Sequence, residues 1–424
     1  MRVNFIAKPA TLTTPRTIVF GLMATPVRPR VTGGDAAFRI VSHGFDNTFL
    51  NESMGVTYRD PFTARQRVGR ARAQGYTIHN YLANDLFPMT DPAMEYLRHE
   101  WAHEPFATYT DGLGALPKKI FGPDADDYIA ILNCAMPSRV DYQVHCFNRA
   151  MEQQCMDGVY LDNSYPHPCV NVQHSECGYV REDGNVQAGY HLFETRDLIK
   201  RCAVLSCLHK TTPPWFSVHS TSAMVAPCFS FADVCIDGEY GHDTKDFIDF
   251  FPLPYLEVFG AGAWGITQGW LPKLHGLESQ VKPTRTMLAA LKLYDLWIWR
   301  AYANIPLINE IADIESRFGI TAEDCRFVGY WERDASAFSG LPPGVKLSYY
   351  FRPGKGALVY VSNLTKEKRG VRLSFDAKAL GFASAVVMDA ETDASVLGEA
   401  GGVPLSIEGH DFRAIILKPT ETTR

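Results

Sequence analysis

Asp157-Gly158-Val159-Tyr160-Leu161-Asp162-Asn163 is the stretch on which the fold turns. Strand alternation puts Tyr160 and Asp162 on one face and Val159 and Leu161 on the other. Asp162 then stands at the strand's exit, pointing into the mouth of a barrel. Asp157, ahead of a glycine at the entrance, reads as a turn residue. A second stretch has the same grammar. In Asp233-Val234-Cys235-Ile236-Asp237-Gly238-Glu239-Tyr240 the alternation aligns Asp237 with Glu239, again at the exit. In a (β/α)₈ barrel the chemistry sits at the C-terminal ends of the strands, so an acid closing an apolar strand is a better candidate than one on a helix.

Working outward, short apolar runs alternate with helical patterns from residue 17 to about 300, as a parallel α/β architecture requires. Strands are expected at Thr17–Ala24, Arg39–His43, Tyr76–His79, Ile129–Ala135, Gly158–Asn163, Trp215–Thr221, Val234–Glu239 and Tyr255–Gly262. Eight of them make a closed (β/α)₈ barrel the economical choice. Helices are expected at Ala64–Gln74, Ala93–Trp101, Val140–Gln154, Gly189–His209 and Pro283–Tyr302, the last opening on a proline. After Phe318 the pattern changes. Alternating strands at Lys346–Phe351, Ala357–Asn363, Gly370–Phe375, Ser384–Asp389 and Phe412–Leu417, parted by Gly, Pro and Asn turns, read as an antiparallel β-sandwich. The expected division is a barrel over 1–318 and a sandwich domain over 319–424.

The 424 residues, 46% hydrophobic and 21% charged, are enough for a large core and a second domain. A formal charge of −6 gives no footing for a phosphate-backbone binder, so no nucleic acid is expected. No apolar stretch approaches the roughly 20 residues of a membrane span, and the opening Met1–Pro9 lacks a sustained apolar signal core. That opening is already partly apolar, as if entered from an upstream domain or leader. Localisation and oligomeric state stay open. Most of the ten cysteines sit in apolar contexts such as Val234-Cys235-Ile236, where a buried free thiol is the ordinary reading.

Two strand-end acids facing one cavity are what hydrolysis of a glycosidic bond needs: one protonates the leaving oxygen while the other attacks the anomeric carbon or activates water. The expected roles are Asp162 as nucleophile or stabilising base and Glu239 as acid, with Asp237 competing for the acid role. A strand-end acid can also cap a helix or bind a loop backbone. The Asp162-Asn163 pair leaves open a substrate-assisted mechanism, in which acid and amide position an acetamido group. Tyr165, Trp264 and Trp270, past expected strands, are candidate sugar platforms, and His219 a candidate hydroxyl partner. Core packing for the tryptophans and a satisfied buried histidine are the plain alternatives.

The loop from Tyr165 to Gly178 holds His167, Cys169, His174 and Cys177, ligand types suited to tetrahedral zinc at no standard finger spacing. It reads first as a Cys169–Cys177 disulfide or mere proximity, and second as a structural zinc that would order the loop rather than catalyse. No cofactor and no catalytic metal are expected.

The run Phe20-Gly21-Leu22-Met23-Ala24-Thr25-Pro26-Val27, the stretch Asp157–Asn163, Cys177-Gly178-Tyr179, Arg196 with Lys200-Arg201, and Ser230-Phe231-Ala232-Asp233 leading to Asp237-Gly238-Glu239 occur in order. Together they resemble a family of largely uncharacterised glycoside hydrolase domains, similar to barrel hexosaminidases, over roughly residues 10–300. The resemblance implies a barrel with a C-terminal β domain. It extends to α-galactosidase-type barrels, where the fourth strand ends in the nucleophile and the sixth in the acid; by analogy these are Asp162 and Asp237 or Glu239. The strands expected here are the fifth and seventh, so the two-strand separation is kept and the count is not. The extra N-terminal β domain common among hexosaminidase-like proteins is missing from this chain. The expected function is glycosidic hydrolysis of an oligo- or polysaccharide, and the reading from another class is a carbohydrate-binding barrel without catalysis. A metal-dependent hydrolase ranks last, because His219 stands largely alone among the strand-end acids.

Overall fold

A computed structural model of the chain describes residues 8–9, 11–13, 18–28, 40–42, 69–70, 73, 77–88, 91–103, 130–154, 158–174, 177–209, 216–221, 223–239, 246–262, 264–396 and 402–420. Seven strands form one parallel sheet: β1 (Ile40–Ser42), β2 (Thr77–Ala83), β3 (Gly158–Asp162), β4 (Phe216–His219), β5 (Val234–Gly238), β6 (Thr267–Leu271) and β7 (Trp297–Ile298). Their order across the sheet is their order along the chain. Sequential parallel strands joined through helices are how a sheet winds in one direction, and that arrangement sets all the strand exits side by side. β3 to β6 are buried along nearly their whole length, as a parallel sheet covered on both faces must be.

Several helices bury a single stripe. In Pro137–Gln154 the buried residues Val140, Val144, Phe147 and Met151 recur at three- and four-residue spacing and pack into the main core. Ile305–Phe318 starts where the Asn304 side chain accepts from the Leu307 N–H and stops at Gly319, whose φ of 84° ends the helix left-handed.

Four expectations need correcting. Residues 18–24 of the expected strand Thr17–Ala24 form no strand, and Ile18, Val19, Phe20 and Leu22 are exposed; behind that run Val27 N–H bonds Trp264 O and Arg28 pairs with Asp233. Ala130–Leu132 is a strand, but it pairs antiparallel with Leu86–Pro88 outside the main sheet. Tyr255–Gly262 is not a strand: Leu253–Gly260 is a helix, with Pro252 and Pro254 at its start and Leu256, Phe259 and Gly260 buried at helical spacing. The helix over Pro283–Tyr302 ends at Leu291, and β7 follows. The expected helix Ala64–Gln74 and residue Asp157 lie largely or wholly outside the described residues.

From Arg326 the chain is antiparallel. A six-stranded sheet and a three-stranded sheet share an apolar core. The strand Gly356–Asn363 is buried at every position: Ala357, Val359 and Val361 face that shared core, while Leu358 and Tyr360 join the core of the parallel region. Polar contacts reinforce the junction. Lys292 Nζ donates to both Glu315 oxygens at 2.7 and 3.0 Å, and Tyr360 OH donates to Glu315 Oε1 at 2.9 Å. Tyr350 OH donates to Asp295 at 2.7 Å. Arg285 bonds Asp411 and Glu391 while its guanidinium lies over the Phe412 ring. Among the described residues no helix is long and apolar enough to cross a membrane.

Candidate active site

The exits of β3, β4 and β5 lie together, and the register of the sheet decides what meets there. Leu161 pairs with Val218 and His219 with Ile236, so Asp162 and His219 reach the same level on neighbouring strands. Asp162 Oδ1 is 2.9 Å from His219 Nδ1 and also accepts from the Asn163 N–H at 2.9 Å. Tyr160 OH, one pleat below on the same face, is 2.9 Å from the same His219 nitrogen. Glu239 Oε2 stands 3.9 Å from it on the other side. One imidazole nitrogen thus joins the two carboxylates that the sequence singles out.

All three strands leave the sheet through a left-handed residue that is not glycine: Asn163 (φ 47°), Thr221 (φ 44°) and Glu239 (φ 62°). Such conformations cost of order 1–3 kcal/mol each and gather at functional sites. Backbone bonds hold them: Ser164 N–H to His219 O, Ser220 N–H to Ile236 O and Glu239 N–H to Leu271 O. The last passes Gly238 (φ 100°), where a Cβ would meet Leu271 O at 2.2 Å, so only glycine fits. The two consecutive left-handed residues break the alternation that aligned Asp237 with Glu239. Asp237 is fully buried and accepts from Tyr255 OH, whereas the Glu239 side chain is 37% exposed.

Burial raises the Glu239 pKa above its ordinary value; the His219 charge opposes this and Asp162 adds to it. For His219 burial works downward, but the Asp162 hydrogen bond and charge outweigh it, with Glu239 and Asp237 adding, and the pKa lies above that of a free imidazole. Glu239 thus keeps a proton further toward neutral pH than an exposed glutamate, and His219 holds its proton to higher pH than a free imidazole.

The remaining sequence candidates separate. Tyr165 is half-buried, its ring 4.3 Å from that of His167. Asn163 accepts from Thr221 Oγ1 at 3.4 Å across the exits of β3 and β4. The tryptophans are corrected as platforms. Trp270 lies within β6 and not in a loop past a strand, and it is sealed among Phe247, Phe251 and Phe259. Trp264 is 8% exposed, packed edge-on against Phe259. Neither presents an open face for a sugar ring.

A further strand-end acid escapes the sequence reading. β2 runs on to Ala83, beside Asp162, so Asn84 and Asp85 stand at its exit, and Asn84 N–H donates to Asp162 O at 2.9 Å. Asp85 is 1% exposed, with His167 Nε2 2.6 Å from its Oδ2. Arg139, fully buried behind it, donates to Asn84 O and Gln143. Burial pulls the Arg139 pKa down to about 10 against the charge of Asp85. The signal was present in Asn80-Tyr81-Leu82-Ala83, which continues the strand that the sequence reading ended at His79.

No protein-family model matches the sequence, and no curated protein matches it. Solved structures do resemble the fold. An α-amylase from Anoxybacillus superposes with a TM-score of 0.53 at 12% identity, over 91% of this chain and 85% of that one. The α-amylase from Geobacillus thermoleovorans, solved in complex with acarbose, gives a TM-score of 0.53 at 11% identity, over 94% and 88%. At such identity the likeness is one of fold alone.

Proposed function

We propose that the protein is a glycoside hydrolase acting on an oligo- or polysaccharide, built as a (β/α)₈ barrel over residues 1–318 with a β-sandwich over 319–424. The observation that carries the reading is the pair Asp162 and Glu239, 2.9 and 3.9 Å from one nitrogen of His219, at the exits of three successive strands. Their nearest oxygens are therefore no further apart than the sum of those legs. That admits the retaining spacing of about 5–5.5 Å and argues against the wide end of the inverting range, about 9.5 Å.

In the forward step the Glu239 proton goes to the glycosidic oxygen as the bond to the anomeric carbon breaks, and an Asp162 oxygen forms the new bond to that carbon. Glu239, now a carboxylate, then takes a proton from water, whose oxygen displaces Asp162. The raised Glu239 pKa suits the acid. Burial of Asp237 against Tyr255 argues for Glu239 over its neighbour. His219 acts as a positioning residue for the Asp162 oxygen it faces, and Tyr160 in turn holds His219. A carbohydrate substrate is further supported by the acarbose complex of the Geobacillus amylase, whose fold is similar.

Hydrolysis of a panel of aryl glycosides and polysaccharides tests this, run beside Asp162→Asn and Glu239→Gln. Turnover of at least one substrate, lost in both variants, is expected. Wild-type turnover that survives intact in Asp162→Asn would overturn the assignment.

A further inference from the structure

On the far side of the loop that follows Asp162, a second cluster gathers residues from segments well apart in sequence. Cys134 lies just past the strand Ala130–Leu132, its N–H bonded to Trp101 O. Cys169 sits in the short strand Pro168–Cys169, paired with Gly189. His174 and Cys177 close the turn between them. All four are buried, none more than 6% exposed. Cys177 Sγ is 3.5 Å from Cys134 Sγ and 3.7 Å from His174 Nδ1, and the four donor atoms lie within 4.8 Å of one another.

We propose that Cys134, Cys169, His174 and Cys177 form a structural zinc site. Around a tetrahedral zinc with Zn–S of about 2.3 Å, ligand atoms stand about 3.5–3.8 Å apart, so the cluster already has nearly the size the ion demands. A disulfide suits it less well. The sulfurs of Cys134 and Cys177 are well beyond the bonded distance of about 2.05 Å, none of the three cysteines is bridged to another, and any one bridge would strand the third cysteine beside the histidine. A divalent ion would hold the three sulfurs as thiolates. The local backbone fits thiolates as well. Asn171 N–H donates to Cys169 Sγ at 3.4 Å. Gly178 rests on the Val170 carbonyl so closely that a Cβ would lie 2.2 Å from its oxygen, which lets the Cys177 turn fold back on Cys169.

His191 is the competing ligand, its Nε2 2.5 Å from Cys177 Sγ and its Nδ1 3.7 Å from Glu194. It falls outside the set of donors that are mutually close, so the ligand is assigned as His174. Four protein ligands leave no open position, as structural zinc sites do. The ion would pin the loop bearing Tyr165 and His167 to Cys134, and this assignment stands independently of the glycosidase reading.

The test is metal content. Protein purified under reducing conditions without added metal is expected to hold about one equivalent of zinc by elemental mass spectrometry. The zinc should be released by a mercurial that titrates thiols and replaceable by Co²⁺, with intense visible d–d bands and thiolate charge transfer. Cys134→Ser, Cys177→Ser and His174→Ala should lose the metal, and Cys207→Ser, on an exposed cysteine, should keep it. Should the cysteine variants fail to fold, the wild-type zinc content and cobalt spectrum decide alone. The site is overturned by wild-type protein that lacks zinc and gives no tetrahedral cobalt spectrum, or by a disulfide among these thiols on peptide mapping. Loss of zinc in His191→Ala with retention in His174→Ala overturns the ligand set.

Discussion

Between the parallel and antiparallel regions, one ammonium, Lys292, meets one carboxylate, Glu315, and the Tyr360 phenol completes the carboxylate's hydrogen bonds. At the exits of β3 to β5, three carboxylates surround one imidazole, and the charges do not balance. The first group is withdrawn from water and the second only in part, and the first arrangement is what burial favours: paired, hydrogen-bonded and neutral in sum. The second gathers negative charge around a site, lifts the Glu239 pKa and rests on backbone conformations that a protein selected for stability alone would avoid. On the proposed function, the difference separates charge that holds the chain together from charge kept available for chemistry.

Exchanging the two kinds of substitution would break this comparison most directly. Asp162→Asn is expected to lower kcat by roughly 10²–10⁴-fold while moving the urea midpoint little, and an equal loss of stability and activity would assign Asp162 to structure. Glu315→Gln should do the opposite. It leaves Lys292 buried without its counter-charge at a cost of about 3–5 kcal/mol in unfolding free energy, with kcat per folded molecule unchanged; a variant as stable as the parent would show that the pair carries nothing.

The pH dependence sharpens the contrast further. A folded-state pKa raised by burial means that Glu239 supports the fold fully below its ordinary value of 4.5 and less as pH climbs through the folded value. Glu239→Gln should therefore gain on the wild type only above that point, as followed by denaturant unfolding across a pH series. A difference that stays flat with pH would mean the carboxyl does not feel its burial. The smallest effect is expected for Tyr360→Phe, which removes one hydrogen bond to Glu315 and should cost about 1 kcal/mol by the same unfolding measurement.

The strand-exit side of this comparison was largely legible in the sequence and the domain-junction side was not. β3, β4 and β5 announce themselves because each is a short apolar run that ends beside a polar group, and neighbouring register then follows from a sheet wound in chain order. Misreadings arose where one composition serves two periodicities. Leu253–Gly260 carries the aromatic and branched residues of a strand, and the prolines at its start were the unused sign of a helix. That error moved the expected strand off β6 and so cast Trp270 as a loop residue, when it is the centre of an aromatic core. Asp85 was lost by ending β2 four residues early. Lys292 and Glu315 give no local sign at all, since their meeting depends on how two helices and a distant strand dock. The same holds for Cys134, which reaches the loop cysteines from outside the segment that drew attention to them.

The strand Gly356–Asn363 faces one core with its odd-numbered residues and another with its even-numbered ones. It therefore cannot be exchanged as a module. Grafting the antiparallel region of a relative onto this parallel region would swap half of a shared core along with it. A one-residue slip would interchange the two faces wholesale, seating Tyr360 where Val359 belongs. Recombination of this protein with its structural kin should succeed only when crossovers carry both sides of that strand together.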